Sequence, residues 1–386
     1  MNQFQFTTRV MAVESDATGV WHELETTSFY AEGGGQPADR GTIAAQPVRD
    51  VQVRENRVWH LLDEAIPLQT EVAATIDHET RQDHSIQHTA QHVVTALLED
   101  RYGIRTLSFG IGERDAAIEL ETATLEWSMI ETIEREMQQL IFENRLVKTY
   151  ECDDTAVDHD RLRKATERKG SIRIVEIEGL DYNACGGTHV ERTGQLGLFY
   201  VTAMKKVRGN VRLSFAAGTR ALHFIQRSRH ALRTIHQTFS TTDETVADRV
   251  MEERALRLAK EKEVNELEFS VAQARAEAAL DQEGYVVTHF GHTESEALTT
   301  RILEHIAAAG RIAIGANHVV NKVILVHDGT QNVAVGVLVK QVLAELGFGR
   351  GGGSHKQAQA RFETTVELER ATSELIRRLQ EGAIQS

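Results

Sequence analysis

A thiol and an imidazole are separated by three small residues in Cys185-Gly186-Gly187-Thr188-His189, and two further imidazoles stand four apart in His88-Thr89-Ala90-Gln91-His92. Residues at that second spacing share one face of a helix. His88 and His92 can therefore meet one ion, and the Cys-x3-His loop can close a tetrahedral site over them. Nitrogen and sulfur ligands suit zinc, with one ion per chain. Such a site is less decisively structural than one of four cysteines, because a weak ligand can yield to water or substrate. A zinc ion there would polarise a carbonyl or make a hydroxide nucleophile at neutral pH, which is chemistry for hydrolysing an activated ester. No Ser-His-Asp arrangement is legible, and the helical pair lacks the glutamate of His-Glu-x-x-His, so a protease is a poor reading.

The histidine pair needs a helix, and residues 79–102 supply one, with Val93, Val94, Leu97 and Leu98 as its apolar face and Gly103 to end it. His84 continues the same stripe, either as an outer hydrogen-bonding partner or as plain surface. Ahead of this helix, strand-like stretches at 4–13, 20–25, 41–53, 58–62 and 71–76 alternate with turn residues, which suits a small β-barrel-like domain. Within it lies Thr27-Ser28-Phe29-Tyr30-Ala31-Glu32-Gly33-Gly34-Gly35-Gln36. Three consecutive glycines permit either a tight turn or the close approach of a ligand. After the helix come a strand pair at 105–121, an amphipathic helix at 125–144, strands at 146–152 and 172–177 with a basic helix expected at 155–169, and strands at 196–206 and 211–216. Helices and strands without a regular βαβ rhythm give an α+β class.

From residue 221 to about 282 the chain is charged, proline-free and helical in composition. Val264, Leu267, Val271, Ala274 and Ala278 follow coiled-coil spacing, but Glu253, Arg257 and Lys260 interrupt it upstream, so a helical spacer is the expectation. The remainder resembles an α/β module, with strands at 285–290, 311–315, 323–326 and 333–337, helices at 338–346 and 365–380, and a glycine-rich loop at 347–356. Arg350, His355 and Lys356 would let that loop grip phosphate; a flexible turn is the plainer alternative. The expected domains are 1–78, 79–220, 221–283 and 284–386.

A chain of 386 residues, 41% hydrophobic and 26% charged, fits two or three globular domains. It has no apolar run long enough for a membrane span, and its first residues lack signal-peptide features, so a cytoplasmic location is expected. Cys152 and Cys185 form no disulfide framework, and Cys152 reads as an ordinary strand residue. The net charge of −14 argues against a generic nucleic-acid binder. Two local basic runs leave a specific one open: Arg161, Arg163, Lys164, Arg168, Lys169 and Arg173 before the Cys/His loop, and Lys205, Lys206, Arg208 and Arg212 after it. Solvated faces and phosphate contacts are both consistent with these runs.

The glycine-rich stretch at 27–36 followed by Asp39 and Gly41, then His88-x3-His92, then Cys185-Gly-Gly-Thr-His189-Val190, occur in the order found in the editing part of alanyl-tRNA synthetases. The chain resembles the stand-alone alanyl-tRNA editing proteins of the AlaX type, long form, and its end resembles their DHH-associated domain. Two places depart from the family pattern: residues 357–360 read Gln-Ala-Gln-Ala, and residues 211–213 read Val-Arg-Leu where paired arginines are usual. The resemblance implies a trans-acting deacylase for tRNA(Ala) mischarged with serine, and with glycine too, carried out without an aminoacylation domain. It makes His88, His92, Cys185 and His189 the zinc ligands and, with Thr27, the catalytic set. Thr27 would pair its hydroxyl with the serine side chain, a contact that discriminates against a substrate lacking the OH. Gly33, Gly34, Gly35 and Gln36 would contact the substrate end or acceptor stem, and Lys205, Lys206, Arg208 and Arg212 are further tRNA-binding candidates. Arg350 and Lys356 would hold the tRNA body, and homodimerisation through the helical or C-terminal region stays open. The competing expectation is a tRNA-binding module with a purely structural zinc. A phosphoesterase ranks last, because the Asp-His-His motif is missing.

Overall fold

Along Gln5–Asp16 the buried Thr8 and Val10 alternate with the exposed Thr7, Arg9 and Met11, the period of a half-buried strand. The computed structural model describes residues 4–167, 169–280, 285–291 and 294–382 and divides into two compact units, Met1–Thr238 and Phe239–Ser386. That first strand, β1, lies in a seven-stranded antiparallel sheet with β2 (Gly19–Leu24), β3 (Gly41–Ile43), β4 (Gln46–Val48), β5 (Asp50–Arg54), β6 (Arg57–Leu62) and β7 (Glu71–Ile76), in the order β4-β3-β7-β1-β2-β6-β5. The single strand expected at 41–53 is three. Ala44 and Ala45 take left-handed backbone angles and turn the chain, and Arg49 joins β4 to β5 while its N–H donates to the Leu61 carbonyl of β6. The two outer strands of the sheet are thereby brought together.

Helix α1 (His78–Tyr102) starts at Asp77, whose side chain accepts from the Thr80 N–H, and ends at Gly103 in the left-handed conformation. It packs with α2 (Trp127–Glu143) on an antiparallel sheet ordered β13-β14-β9-β8, formed by β8 (Thr106–Ile111), β9 (Ala116–Leu120), β13 (Phe199–Val207) and β14 (Asn210–Ala217). One core holds them together, including Val93, Val94 and Leu98 of α1, Ile133 and Met137 of α2, and Leu213 and Phe215 of β14. A three-stranded sheet, β10 (Val147–Asp153), β11 (Ser171–Ile177) and β12 (Asp181–Ala184), leads into the Cys/His loop. Among the described residues, the basic helix expected at 155–169 does not form beyond a short turn at Asp154–Ala156. The Arg163 N–H instead donates to the Tyr182 carbonyl of β12, tying this segment across the sheet rather than into helical bonds. Arg168 lies outside the described residues. Helix α3 (Thr219–Phe239) closes the first unit.

The second unit contains α4 (Val246–Ala279), α5 (Glu296–Ala308), α6 (Val335–Leu346) and α7 (Thr365–Gln380) around a five-stranded sheet. Its strands β15 (Tyr285–Phe290), β16 (Ile312–Asn317), β17 (Lys322–Val326), β18 (Arg350–Gly353) and β19 (Gln357–Arg361) run in the order β15-β16-β17-β19-β18. Ile312 and Ile314 face α6 and α7, whereas Ala313 faces α4 and α5, so helices cover both faces. Two expectations fail here. The apolar run 333–337 begins α6 instead of forming a strand, since a short buried apolar run carries no period that separates the two. Four residues of the expected glycine-rich loop at 347–356 form a strand, Arg350–Gly353, and Gly351 and Gly353 permit it: a Cβ would lie 2.3 Å from the Gln359 carbonyl oxygen and 2.1 Å from that of Gln357. In α4, Ala272 and Ala276 make the buried contact, while Val264, Leu267 and Val271 of the coiled-coil seam are exposed. The unit boundary falls at 238–239; the boundary expected at 283–284 lies outside the described residues.

Candidate metal centre

One turn of α1 separates His88 from His92, and β12 delivers Cys185 opposite them, with His189 returning four residues later. Ligand atoms of these four side chains all lie within 4.8 Å of one another and could hold a metal ion. The Cys185 sulfur is 3.5 Å from His88 Nε2 and 3.4 Å from His189 Nε2. Two features fold the loop onto the helix. Gly187 has no side chain, and a Cβ there would lie 2.1 Å from the His88 ring. Arg173 of β11 takes the Cys185 N–H on its carbonyl, and its Nη1 donates to the carbonyls of Cys185 and Gly187.

Each histidine is fixed from behind through Nδ1. That of His92 donates to Asp181 Oδ2 at 2.7 Å, and that of His88 to Gln36 Oε1 at 2.8 Å. Thr89 directs its only hydroxyl proton to the Ser85 carbonyl, so at 3.1 Å from His189 Nδ1 it can only accept. All three rings thus carry hydrogen on Nδ1 and turn Nε2 toward the sulfur. This is the arrangement by which outer partners set the tautomer and orientation of metal-ligating histidines. Gln36 also accepts from the Thr188 N–H and donates to the Thr188 hydroxyl, joining the glycine-rich turn to the Cys/His loop.

Burial disfavours charge at all four positions, yet two of them keep it. At His92, burial is outweighed by Asp181 and the Cys185 sulfur, which push the imidazole up to about 10. At Cys185, burial is outweighed by hydrogen bonds from His189, His88 and His92, which pull the thiol down to about 2. Burial holds His88 below its ordinary value and takes His189 down to about 3. Asp181 would be raised by burial, but His92 and Arg163 hold it below the usual carboxylate range.

The other sequence candidates fall in several places. His84 is buried on α1 outside the cluster. Thr27 is bonded by its hydroxyl to His60 Nε2 at 2.9 Å and accepts the Phe29 N–H, with no bond to a cluster residue. Gly34 and Gly35 form a two-residue turn with positive φ between paired Gly33 and Gln36. A Cβ at Gly35 would lie 2.3 Å from the Phe109 carbonyl oxygen, so the turn rests on β8, and the Phe109 ring stacks near His88. Gln36 is fully buried with its amide bonded inside the site. Lys205, Lys206, Arg208 and Arg212 are exposed on the β13–β14 hairpin. In the preceding run, Arg161 pairs with Glu176, Arg163 with Asp100 and Asp181, and Lys169 with Asp154, while Lys164 is exposed. Arg350 and Lys356 lie in the second unit, where Lys356 donates to the Asp328 carbonyl. Sequence reasoning missed Asp181 and Thr89, and it gave Gln36 no part behind a histidine. These partners are brought in by the fold from 89, 100 and 52 residues away, at distances no local pattern reports.

Comparison with known proteins gives one family match that includes the Cys/His loop, and several longer relatives. The family described as the threonyl and alanyl tRNA synthetase second additional domain matches residues 172–213, which include the Cys/His loop. The alanyl-tRNA editing protein AlaX-L of Pyrococcus horikoshii is 29% identical over 379 residues, covering 93% of this chain and 92% of that one. The alanyl-tRNA editing protein Aarsd1 of Danio rerio is 36% identical over 215 residues, 55% of this chain and 52% of that protein. An alanine–tRNA ligase of Thermoplasma acidophilum is 30% identical over 241 residues, 28% of its length. The chain spans about half the length of the Aarsd1 relatives it matches. Among the described residues, no helix is long and apolar enough to cross a membrane.

Proposed function

Because the chain belongs to the stand-alone alanyl-tRNA editing proteins of the AlaX type, we propose that its first unit is a zinc-dependent deacylase acting on tRNA(Ala) mischarged with serine, and with glycine too. The observation that carries the zinc assignment is geometric. Zn–S bonds of about 2.3 Å and Zn–N bonds of about 2.0–2.1 Å set at tetrahedral angles give S···N edges of about 3.5 Å. The two S···N edges here measure 3.5 and 3.4 Å. Three imidazoles with fixed Nδ1–H and one thiolate are a donor set for zinc, held by His88, His92, Cys185 and His189. When bound, zinc supplies Lewis acidity toward the ester carbonyl.

The protein's own residues supply position and selectivity. Asp181 balances the charge at His92, and Gln36 holds His88 and the Thr188 backbone in one register. Thr27 reads the serine hydroxyl, and the turn at Gly33–Gln36 borders the acceptor end. Lys205 and Arg212 are direct cross-strand partners; like charges so placed repel, and an RNA phosphate between them relieves this. Lys206 and Arg208 extend the same basic hairpin, and Arg350 and Lys356 serve the tRNA body from the second unit. A tRNA substrate puts this work in the cytoplasm.

The test is release of amino acid from Ser-, Gly- and Ala-tRNA(Ala) by the full chain, with zinc measured on the same sample. Zinc-loaded protein should release serine and glycine and spare alanine. Cys185→Ala and His92→Ala should abolish release. Tight, salt-sensitive tRNA binding with zinc present and no turnover would instead support a binding module with a structural ion.

A further inference from the structure

Arg173 differs from the other arginines around the metal cluster. Arg81 is paired with Asp39, Arg161 with Glu176, Arg163 with Asp100 and Asp181, and Arg220 with Asp83. Arg173 is half-buried and, among the described residues, forms no ion pair. Its Nη1 donates to the Cys185 carbonyl at 2.8 Å and the Gly187 carbonyl at 2.5 Å, while Nε and Nη2 donate to no described protein group. One edge of the guanidinium is thus built into the back of the loop, and the other keeps its donors unused. Burial weighs against its charge more than the nearby Cys185 sulfur, Tyr30 and Glu151 favour it, and a guanidinium held in place by two bonds is a preorganised fork for a phosphate.

We propose that Arg173 binds the phosphodiester adjoining the esterified terminal nucleoside, fastening the substrate's last nucleotide to the loop that carries Cys185 and His189. This inference rests on the reading above that the substrate is an aminoacyl RNA. The competing role, a prop for the loop alone, predicts that loss of Arg173 disturbs the site equally for every substrate.

The experiment uses the full, zinc-loaded chain and an acceptor-stem minihelix carrying serine in a non-hydrolysable amide linkage. The final internucleotide link is either a natural phosphodiester or a neutral methylphosphonate. Dissociation constants are measured for wild type and Arg173→Gln, with zinc content determined for each. Wild type should bind the neutral RNA roughly 10–100-fold more weakly, the range of a hydrogen bond to a charged group. Arg173→Gln should bind both RNAs equally, at the weaker level. Equal sensitivity to methylphosphonate in both proteins, or none in wild type, would overturn the proposal. If Arg173→Gln loses zinc or fails to fold, Arg173→Lys replaces it: it keeps the charge but not the fork, so its sensitivity should fall to a few-fold, and a wild-type response would sink the idea. Failure of the deacylase reading shows separately, as wild type that binds the minihelix through Arg173 yet leaves the natural ester uncleaved.

Discussion

His92 and Cys185 share one proton in protein stripped of metal. His92 is pushed up to about 10 and Cys185 down to about 2, so near neutral pH they stand as imidazolium and thiolate, while burial holds His88 and His189 below their ordinary values and so uncharged there. Zinc needs a deprotonated Nε2 on each ring, and only His92 must give up a proton to provide it. The sign follows. Acid favours the protonated form, so affinity rises with pH, about tenfold per unit at neutral pH, and levels off as pH passes about 10. Calorimetry in buffers of different ionisation enthalpy should find about one proton released per zinc near pH 7. Release of two or none would mean that the pair does not hold this charge. Asp181→Asn removes the carboxylate behind His92, so proton release at pH 8 should fall and zinc affinity at high pH should drop about 10–100-fold. Unchanged proton release in that variant would remove Asp181 from the account.

At the scale of elements, the site is a seam between α1, the glycine-rich turn and the loop after β12, and the tightest point of that seam is Gly187. Its φ is unremarkable, so the constraint is room: a Cβ would strike His88 at 2.1 Å and lie 3.0 Å from Gln36 Oε1, and both side chains are buried and hydrogen-bonded. Gly187→Ala should therefore destabilise by about 1–3 kcal/mol and leave purified protein well short of one zinc per chain. Full zinc occupancy would show that the loop can shift without losing its ligands. Arg81 joins α1 to the N-terminal sheet through its buried pair with Asp39 and a bond to the Ser28 carbonyl. Arg81→Leu strands the Asp39 charge and should cost about 3–5 kcal/mol in urea denaturation followed by tryptophan fluorescence. The candidate cluster was legible because i,i+4 spacing on a helix and Cys-x3-His are local patterns. Their partners were not, because Gln36, Thr89 and Asp181 are selected by tertiary approach. The same limit explains the failed segments. Residues 155–169 have helical composition but are recruited to β12 and to acidic partners, and glycines that look like a loop at 350–353 are what allow a close-packed strand.

At the scale of the molecule, a net charge of −14 makes long-range attraction to RNA unfavourable, so any tRNA contact has to come from local cations such as those of the β13–β14 hairpin. The two compact units divide the tasks in a way that can be measured. All four cluster residues lie in the first unit, as do all three tryptophans, Trp21, Trp59 and Trp127. Tryptophan fluorescence therefore reports unfolding of the unit that contains the cluster, and a ligand stabilises only the unit whose native state binds it. Zinc at a hundredfold excess over its dissociation constant should add about 2.7 kcal/mol to that unit, which corresponds to several degrees for a unit of this size. Chelation should lower the tryptophan transition by that amount. Hydrogen exchange followed by mass spectrometry supplies the control: amides of β16, β17, α6 and α7 should exchange at the same rate with and without chelator. If chelation loosens those amides as much as those of α1, the units do not unfold independently, and the zinc supports the fold of the whole chain rather than a site within its first part.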